Sequence, residues 1–550
     1  MRKTFVFLLI LWFSSLPLTG QVVYEPINHS VYNFLAITAQ KGLFVYKDEI
    51  KPLTRMQIAA YLDSIRSKGL TRLTPLQKRE LDFYLSDFYH ELSLIKTDVD
   101  TSAGITFFRR DTAKRRRFFM YNDSLFHVYL SPVIERTIGF KDGASFEGHR
   151  DGLSFYGTIG NHIGFRFRFT NEGESGANID TSREFSPEKG MILLKCKVKK
   201  DKLVFDRIEM ALSVNWDWGS FTIGKGNILW GYGASGRLVL SNKAPSWPFI
   251  RLDVQPVDWL SFNYNHGWLS SDVIDSSQSY PTDLKESQRI IYRPKYMANH
   301  SIVIYPLNGL SISLGESIVY ADQLKFVYLQ PLMFFRPADH YLSGPAANDA
   351  GDNAQIFMAI SSRNHIPRTH FYGALFIDEL NLNKIFSKNH RNQIAYQLGA
   401  SVVDFPLNNL DISIEYVRLN PFVYRHYIAT QTYQNAGYTM GHWIEHNADM
   451  LSASFNYRII RGLKAKMWWR FIRKGEDGNA KQQYSVPQPP FLFGLNTNYS
   501  QYGLDVRYEI FHDLHLRLQA EFFGAEKEQE NGGFITTNRQ NYYFSVYYGF

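Results

Sequence analysis

One short stretch has the spacing of a metalloprotease zinc site. In "HWIEH", His442, Glu445 and His446 match the inverted pattern H-x-x-E-H, in which the two His side chains bind zinc and the Glu acts as a base. That chemistry requires both His side chains on one face of a helix. Gly441 precedes the motif and a predicted strand begins within a few residues, so no helix is expected. We therefore predict a loop entering a strand, with no metal and no catalytic residue.

A glycine-rich stretch, "GKGNILWGYG" at 224–233, is the second candidate for chemistry. It lacks the G-x-G-x-x-G spacing and the following helix that a phosphate-binding loop requires. We expect glycine here to let the chain kink, bulge or fold inward. We expect no cofactor.

Basic side chains at alternate positions are the third candidate. Arg166, Arg168, Arg207, Lys464, Lys466, Arg470 and Arg507 alternate with apolar residues, and the same polar faces carry Glu209, Asp505, Glu509 and Glu521. Two hypotheses follow. The charges form a salt-bridged scaffold, or they bind an acidic polysaccharide while Trp and Tyr stack on its sugar faces.

A run of basic residues stands apart from these. It comprises Arg109, Arg110, Lys114, Arg115, Arg116 and Arg117, ahead of the first clear strand. It could meet anionic lipid headgroups or a polyanion, or it could be a solvated loop.

The elements that must position these side chains have a period of two from about residue 104. "HIGFRFRFT" at 162–170 and "RIEMALSVNW" at 207–216 alternate apolar and polar residues, and the pattern recurs to the C-terminus. The segments approach the roughly 9–11 residues of a tilted membrane strand. Short turns and long polar loops connect them in alternation, the arrangement of an outer-membrane barrel. We predict a mainly β chain, a transmembrane antiparallel barrel of about 18 strands.

The composition agrees with this interpretation. Aromatic residues make up 16% of the 550 residues, yet the mean hydropathy is −0.27. The formal charge of +8 is mild for this length and argues against nucleic acid as a partner. A single cysteine, Cys196, excludes an internal disulfide framework.

The section ahead of the barrel is predicted to be helical. Thr54 with Gln57, and Thr74 with Gln77, have the spacing of capping boxes, and Gly69 suits a helix end. Three amphipathic helices would form a small bundle over about residues 25–95. The chain begins with Arg2, Lys3 and an apolar run that resembles a secretory signal peptide. A membrane anchor is the alternative, but the run is shorter than the roughly 20 apolar residues of a spanning helix.

The last segment, "NYYFSVYYGF", has the pattern expected of the final strand of a barrel. Tyr542, Phe544, Val546, Tyr548 and Phe550 share one face of a strand. We expect this strand to close the barrel against the first one, near "LFHVYLSPVIE", with its aromatic face toward lipid. A terminal Phe on such a strand is the signal that barrel assembly machinery reads.

One section resembles a known family. "WGYGASGRLVLSNKAPSWPFIRL" followed by "FNYNHGWL" is similar to the Wzi-type capsule assembly proteins, particularly the Bacteroidetes-like forms. Trp230, Asn242 and Trp268 belong to the shared pattern, as do Glu316 in "SLGESIVY" and Asp352 and Asn353 in "GDNAQIF". The order of these segments, rather than any single motif, carries the resemblance.

The resemblance implies a bacterial outer-membrane barrel with a periplasmic helical bundle: a signal peptide at 1–20, the bundle at 21–98 and the barrel at 99–550. It implies a non-enzymatic, lectin-like role in attaching and organising capsular or other surface polysaccharide. The alternative is an outer-membrane channel for oligosaccharides or anions. The expected partners are the polysaccharide, outer-membrane lipid and the barrel assembly machinery. The glycan-binding or lumen candidates are Arg166, Arg168, Arg207, Trp230, Arg237, Asn242, Glu316, Asp352, Asn353, Arg470 and Arg507.

Overall fold

The computed structural model describes residues 22–95, 104–111, 115–123, 125–160, 162–192, 201–284, 287–343, 351–380 and 391–549. The predicted signal peptide, Cys196 and Phe550 lie outside these residues.

Eighteen antiparallel strands form a closed barrel, which confirms the predicted fold and strand number. Each strand pairs with the next along the chain. They are β1 Phe126–Lys141, β2 Ala144–Ile159, β3 Ile163–Ser175, β4 Lys202–Trp216, β5 Gly219–Gly226, β6 Trp247–Val257, β7 Leu260–Ile274, β8 Tyr292–Leu307, β9 Leu310–Ala321, β10 Asn353–Arg363, β11 Thr369–Glu379, β12 Gln393–Val402, β13 Leu410–Leu419, β14 Ala448–Ile460, β15 Leu463–Lys474, β16 Thr497–Phe511, β17 Leu514–Glu528 and β18 Phe534–Tyr548.

The barrel closes between β18 and β1, as predicted. The pairing runs from Tyr548 opposite Ile134 to Asn541 opposite Lys141. Tyr542, Phe544 and Val546 are exposed on the outer surface, whereas Asn541 and Ser545 are buried on the inner one. The final strand therefore turns its apolar face outward.

The period-two pattern separates an apolar exterior from a polar interior. On β4, Met210 and Leu212 are 47% and 50% exposed on the outer face. Glu209, between Ile208 and Met210 in sequence, points inward and forms an ion pair with Lys189 at 3.1 Å. An apolar outer face with polar residues inside is the pattern of a membrane barrel.

Six α-helices accompany the strands in the described residues. They are α1 Val31–Gln40, α2 Arg55–Lys68, α3 Pro75–Asp87, α4 Tyr89–Ile95, α5 Phe335–Ser343 and α6 Ala480–Gln483. Both predicted capping boxes form, on Thr54 and on Thr74. The bundle has four helices rather than three because the chain leaves the helix at Phe88 and resumes at Tyr89. In the described part of the chain, no helix is long and apolar enough to cross a membrane.

The bundle closes the end of the barrel where the turns are short. Lys41 donates to Asp404, in the β12–β13 turn, at 2.9 Å. Thr74 donates to Asn409 of the same turn at 2.8 Å. His512, in the β16–β17 turn, stacks on Phe83 with ring centroids 3.7 Å apart. The bundle is thus fixed to several turns of the barrel rim.

A hairpin of two strands, Gly104–Arg110 and Arg116–Asn122, precedes the barrel. Its second strand pairs with the beginning of β1, from Phe119 opposite Leu130 to Asn122 opposite His127. The closed ring therefore begins at Phe126, in the segment "LFHVYLSPVIE" that the sequence assigns to the first strand.

The segment between β5 and β6, residues 227–246, folds into the lumen; we call it the inner loop. Its short strand Leu229–Trp230 pairs with Ile50–Lys51, a two-residue strand of the N-terminal helical section. Gly233 has φ +155°, and a Cβ there would lie 1.8 Å from the carbonyl oxygen of Gly236. The glycine-rich stretch therefore permits a tight inward fold, as the sequence indicated.

Candidate functional site: a half-filled lumen

The lumen has a packed half and a polar half. In the packed half, the inner loop and residues 420–447 fill the space against β6–β14. Its buried apolar side chains include Trp230, Leu240, Phe376, Val417 and Tyr433. These side chains pack together as a hydrophobic core.

The polar half is lined by β15–β18 and β1–β4. Several of its charges are paired: Arg150 with Glu135 at 2.6 Å and Arg207 with Glu172 at 3.0 Å. Arg507 shares Asp505 with Arg517, at 2.8 and 2.6 Å. This part of the lumen fits the salt-bridged scaffold.

Four cations of the polar half have no such partner. Among the described residues, no carboxylate lies within ion-pair distance of Arg168, Lys464, Lys466 or Arg470. Arg470 instead lies over the rings of Trp468, at 4.4 Å, and Trp443, at 5.8 Å. A guanidinium held on two indole faces still has its N–H groups to offer to an anion.

Beside Arg470, a cavity of about 130 Å³ lies where the two halves meet; we call it the lumen cavity. Its lining comprises Pro187, Gly233, Ala234, Ser235, Gly236, Arg237, Ser241, Asn242, Lys243 and Trp443. Phe185 extends the aromatic wall, with its ring 5.6 Å from Trp443 and 4.9 Å from Tyr499.

A buried carboxylate of β13 holds the cavity's backbone in place. Glu415 accepts hydrogen bonds from the backbone N–H groups of Ala234 at 2.7 Å and Ser235 at 3.0 Å. The Ser235 and Tyr372 hydroxyls also donate to it. Trp443 Nε1 donates to the Ser235 carbonyl at 2.8 Å. The inner loop is therefore rigid where it faces the cavity.

Lys243 fastens the inner loop to the β3–β4 loop. Its Nζ donates to the carbonyl oxygens of Arg183, Ser186 and Glu188, the last two at 2.9 and 3.1 Å. Burial lowers the pKa of this amine to about 8, although the negative charge of nearby Glu445 acts to raise the pKa. Its neighbour Asn242 is exposed and presents its amide at the cavity.

Two of the predicted candidates therefore line the lumen cavity, and one borders it. Asn242 and Arg237 are in the lining, and Arg237 Nε donates to the Gly231 carbonyl at 2.7 Å. Arg470 borders it through Trp443. Trp230 is elsewhere, 1% exposed in the packed half.

Four further candidates make hydrogen bonds that support the structure. Arg166 donates to the Tyr24 carbonyl at 3.0 Å. Glu316 accepts from the Phe335 N–H at 2.7 Å, at the start of α5. Asp352 accepts from the Tyr328 hydroxyl at 2.8 Å, and Asn353 donates to the Gln431 carbonyl at 2.9 Å. These four contacts hold the N-terminal segment and the long loops.

The zinc-like motif lies in an irregular loop without a helix. His446 Nδ1 accepts from the Phe422 N–H at 3.2 Å, and burial lowers the pKa of His442 to about 3. Within the described ranges, no group of three His, Cys, Asp or Glu side chains could hold a metal ion. The motif's contribution to the site is its tryptophan, Trp443.

The family model for the capsule assembly protein Wzi matches residues 147–533. The chain belongs to the Wzi family. A search of the curated proteins finds no match. Among solved structures, Escherichia coli Wzi aligns with a TM-score of 0.57 and 10% identity, covering 97% of this chain and 100% of that one. That protein is described as an outer membrane protein involved in group 1 capsule assembly and as a carbohydrate binding β-barrel.

Other solved barrels align less well with this Wzi-family protein. Pseudomonas aeruginosa OccK8 (OprE) has a TM-score of 0.42 at 10% identity, covering 76% of this chain and 97% of that one. Acinetobacter baumannii OccAB4 has a TM-score of 0.42 at 8% identity, covering 77% and 97%. The E. coli match shows the barrel fold that this chain shares.

Sequence reasoning missed three aromatic residues of this Wzi-family site: Phe185, Trp443 and Trp468. Trp468 lies at an inward position of β15, between the predicted lumen cations Lys466 and Arg470. The period-two pattern could therefore have identified it as a lumen residue. Trp443 lies in the motif tested for zinc, and its aromatic residue was not weighed. No local pattern marks Phe185.

Proposed function

We propose that this Wzi-family protein is a non-enzymatic outer-membrane barrel that binds an acidic surface polysaccharide and helps to hold it at the cell surface. The helical section would lie in the periplasm and the long loops outside, with membrane lipid on the outer face. Barrel assembly machinery would act on it during biogenesis. Family membership supports the link to capsule.

One observation carries the choice of ligand. Arg470 lies on the faces of Trp468 and Trp443, beside a cavity lined by Ser235, Arg237 and Asn242. Indole faces stack on the apolar faces of sugar rings, while a guanidinium binds a carboxylate by two parallel hydrogen bonds. An acidic polysaccharide offers both groups.

The charged half of the lumen also favours a second candidate, a channel for oligosaccharides or anions. Against it, the helical bundle covers the short-turn end, where Arg458 bridges it to the barrel by ion pairs with Glu80 at 3.4 Å and Asp404 at 3.1 Å. We expect no conductance steps from the wild-type protein in planar bilayers.

The function is tested in a deletion strain of the producing organism. The strain is complemented with the wild type, with Arg470→Gln or with Arg507→Gln, and cell-attached and released polysaccharide are measured. We expect deletion to leave synthesis intact but shift polymer into the medium. Arg470→Gln should restore attachment poorly, and Arg507→Gln, whose cation is already paired, should restore it well. Unchanged attachment together with reduced uptake of a solute would identify a channel instead.

A further inference from the structure

The hairpin Gly104–Arg110/Arg116–Asn122 carries the basic run but takes no part in the lumen site. It lies outside residues 147–533, which the family model matches. Its second strand pairs with the first residues of β1, while the later residues of β1 pair with β18. The hairpin thus continues the sheet beyond the barrel seam, at the short-turn end.

Two buried arginines of the run fix the hairpin in place. Arg115 forms ion pairs with Asp87 of the bundle and with Asp513 of the β16–β17 turn, the latter at 2.8 Å. Arg117 pairs with Asp111 at 2.9 Å and lies 4.3 Å over the ring of Tyr129. These contacts hold the hairpin at the barrel rim.

Apolar side chains of the hairpin's first strand form an exposed cluster with Phe118. Ile105, Phe107 and Phe108 are 70%, 54% and 68% exposed. The ring of Phe108 lies 4.4 Å from that of Phe107 and 4.7 Å from that of Phe118. Exposing a group of aromatic side chains to water is unfavourable. A surface of this kind therefore marks a site of contact with a partner molecule or a membrane.

Three further arginines belong to the same hairpin. Arg109, Arg110 and Arg116 are exposed, and none of them has an ion pair among the described residues. Arg116 lies 5.4 Å over the ring of Phe511, the last residue of β16. Arg116, with Arg110 opposite it across the hairpin, is therefore level with the end of a barrel strand, where a membrane barrel meets lipid headgroups.

We propose that this hairpin is an interfacial anchor whose aromatic cluster enters the headgroup region of an anionic phospholipid leaflet while its three arginines bind lipid phosphates. Exposed apolar residues beside clustered arginines are the signature of interfacial attachment to anionic lipid. The cluster also continues the lipid-facing surface, because Ile134 and Val546 are exposed on the outer face at the seam. The proposal rests on the barrel spanning a membrane and is independent of polysaccharide binding.

The test uses a spin label at Phe107→Cys in the full-length protein, with Cys196→Ser so that the labelled cysteine is the only one. The protein is reconstituted in phosphatidylcholine vesicles with or without phosphatidylglycerol. Collision rates of the label with oxygen and with a water-soluble nickel chelate report its depth. A second label at Ile105→Cys guards against a local effect of the first.

We expect phosphatidylglycerol to raise the ratio of oxygen to nickel collisions severalfold at both labels. Arg109→Gln/Arg110→Gln/Arg116→Gln should abolish that rise. Arg72→Gln/Lys78→Gln/Arg79→Gln, which removes as many exposed cations from the bundle, should preserve it. Labels that are equally accessible to nickel in both lipids, or a rise that survives the hairpin substitutions, would overturn the proposal.

Discussion

The two halves of the lumen arise from the same alternation of apolar and polar residues, yet they differ in what their inward side chains contact. Both are lined by every second residue of their strands. In the packed half the inward positions of β9–β13 are met by apolar side chains of the inner loop, such as Trp230 and Leu240. In the polar half they meet one another, and among the described residues Lys466 and Arg470 form no ion pair, whereas Arg507 pairs with Asp505.

The difference shows how one barrel can combine a rigid packed wall with unpaired charges. The packed half provides the rigid wall, since Glu415 fixes the backbone of Ala234 and Ser235. The polar half provides charges that have no ion-pair partner among the described residues. The lumen cavity lies at the boundary between the two halves. It combines the rigid backbone of one half with the unpaired charges of the other.

The largest expected contrast comes from removing one tryptophan from each half. Trp230→Ala leaves a void in the packed half and should lower the free energy of unfolding by about 3–5 kcal/mol. Trp468→Ala, at a half-buried position on the polar side, should cost about 1 kcal/mol. Guanidinium unfolding in detergent micelles measures both, and equal losses would mean that the halves do not differ in packing.

The internal stability of the helical section can be tested at Arg55, a buried cation. Arg55 pairs with Glu91 at 2.6 Å and with Glu25 at 2.8 Å. Arg55→Met leaves buried Glu91 without an ion pair among the described residues, whereas Glu25 keeps Arg166 at 3.8 Å, and the change should destabilise the helical section by about 3–5 kcal/mol. Hydrogen exchange of α2 and α4 reports the loss. Arg66→Met breaks the exposed pair with Asp63 and should cost less than about 1 kcal/mol; a comparable loss there would contradict a special role for Arg55.

The same cluster predicts a pH dependence. Burial raises the pKa of Glu91, but the Arg55 guanidinium lowers it further, so the net pKa lies below the ordinary value. The stability from such a group is complete above its unfolded pKa of about 4.3 and is lost as the pH falls through the folded value. Protection of α4 should therefore hold from neutral pH to about 5 and decline below about 4.

In Arg55→Met, that acid-induced decline should disappear, because burial then favours the protonated carboxyl groups. The same exchange measurement at several pH values tests it. An unchanged decline in the variant would assign the acid sensitivity to other groups.

The smallest effect on stability is expected in the polar half. Lys466 has no ion pair among the described residues, and its cross-strand neighbour Asp505 is occupied by Arg507 and Arg517. Lys466→Gln should therefore change the free energy of unfolding by less than about 0.5 kcal/mol. Asp505→Asn, which leaves two arginines without their carboxylate, should cost about 1–3 kcal/mol. If Lys466→Gln cost as much, its charge would belong to the scaffold.

The sequence predicts the barrel far better than the site. Alternation alone assigns Arg207 and Glu209 to the interior, and spacing alone identifies the caps at Thr54 and Thr74. The seam follows from the apolar face of the last strand. These features are local, so a single stretch of chain contains the whole signal.

The site depends on contacts between distant segments. Trp443 donates to Ser235, some two hundred residues earlier, and Phe185 approaches Tyr499 across the lumen. Alternation places Arg507 and Arg470 alike on the inner face, but it cannot show that only Arg507 finds a carboxylate. The basic run divides in the same way, since Arg115 and Arg117 are buried and Arg116 is not.

The central claim is tested most directly by equilibrium binding. Purified polysaccharide from the producing cell is titrated onto the wild type, Arg470→Gln and the matched control Arg507→Gln in detergent. A charge-assisted hydrogen bond contributes about 1.5–3 kcal/mol, so Arg470→Gln should weaken binding by about 10–100-fold. Arg507→Gln should stay within about twofold. A wild type that does not bind, or equal losses in both variants, would contradict a polysaccharide site at the boundary of the two halves.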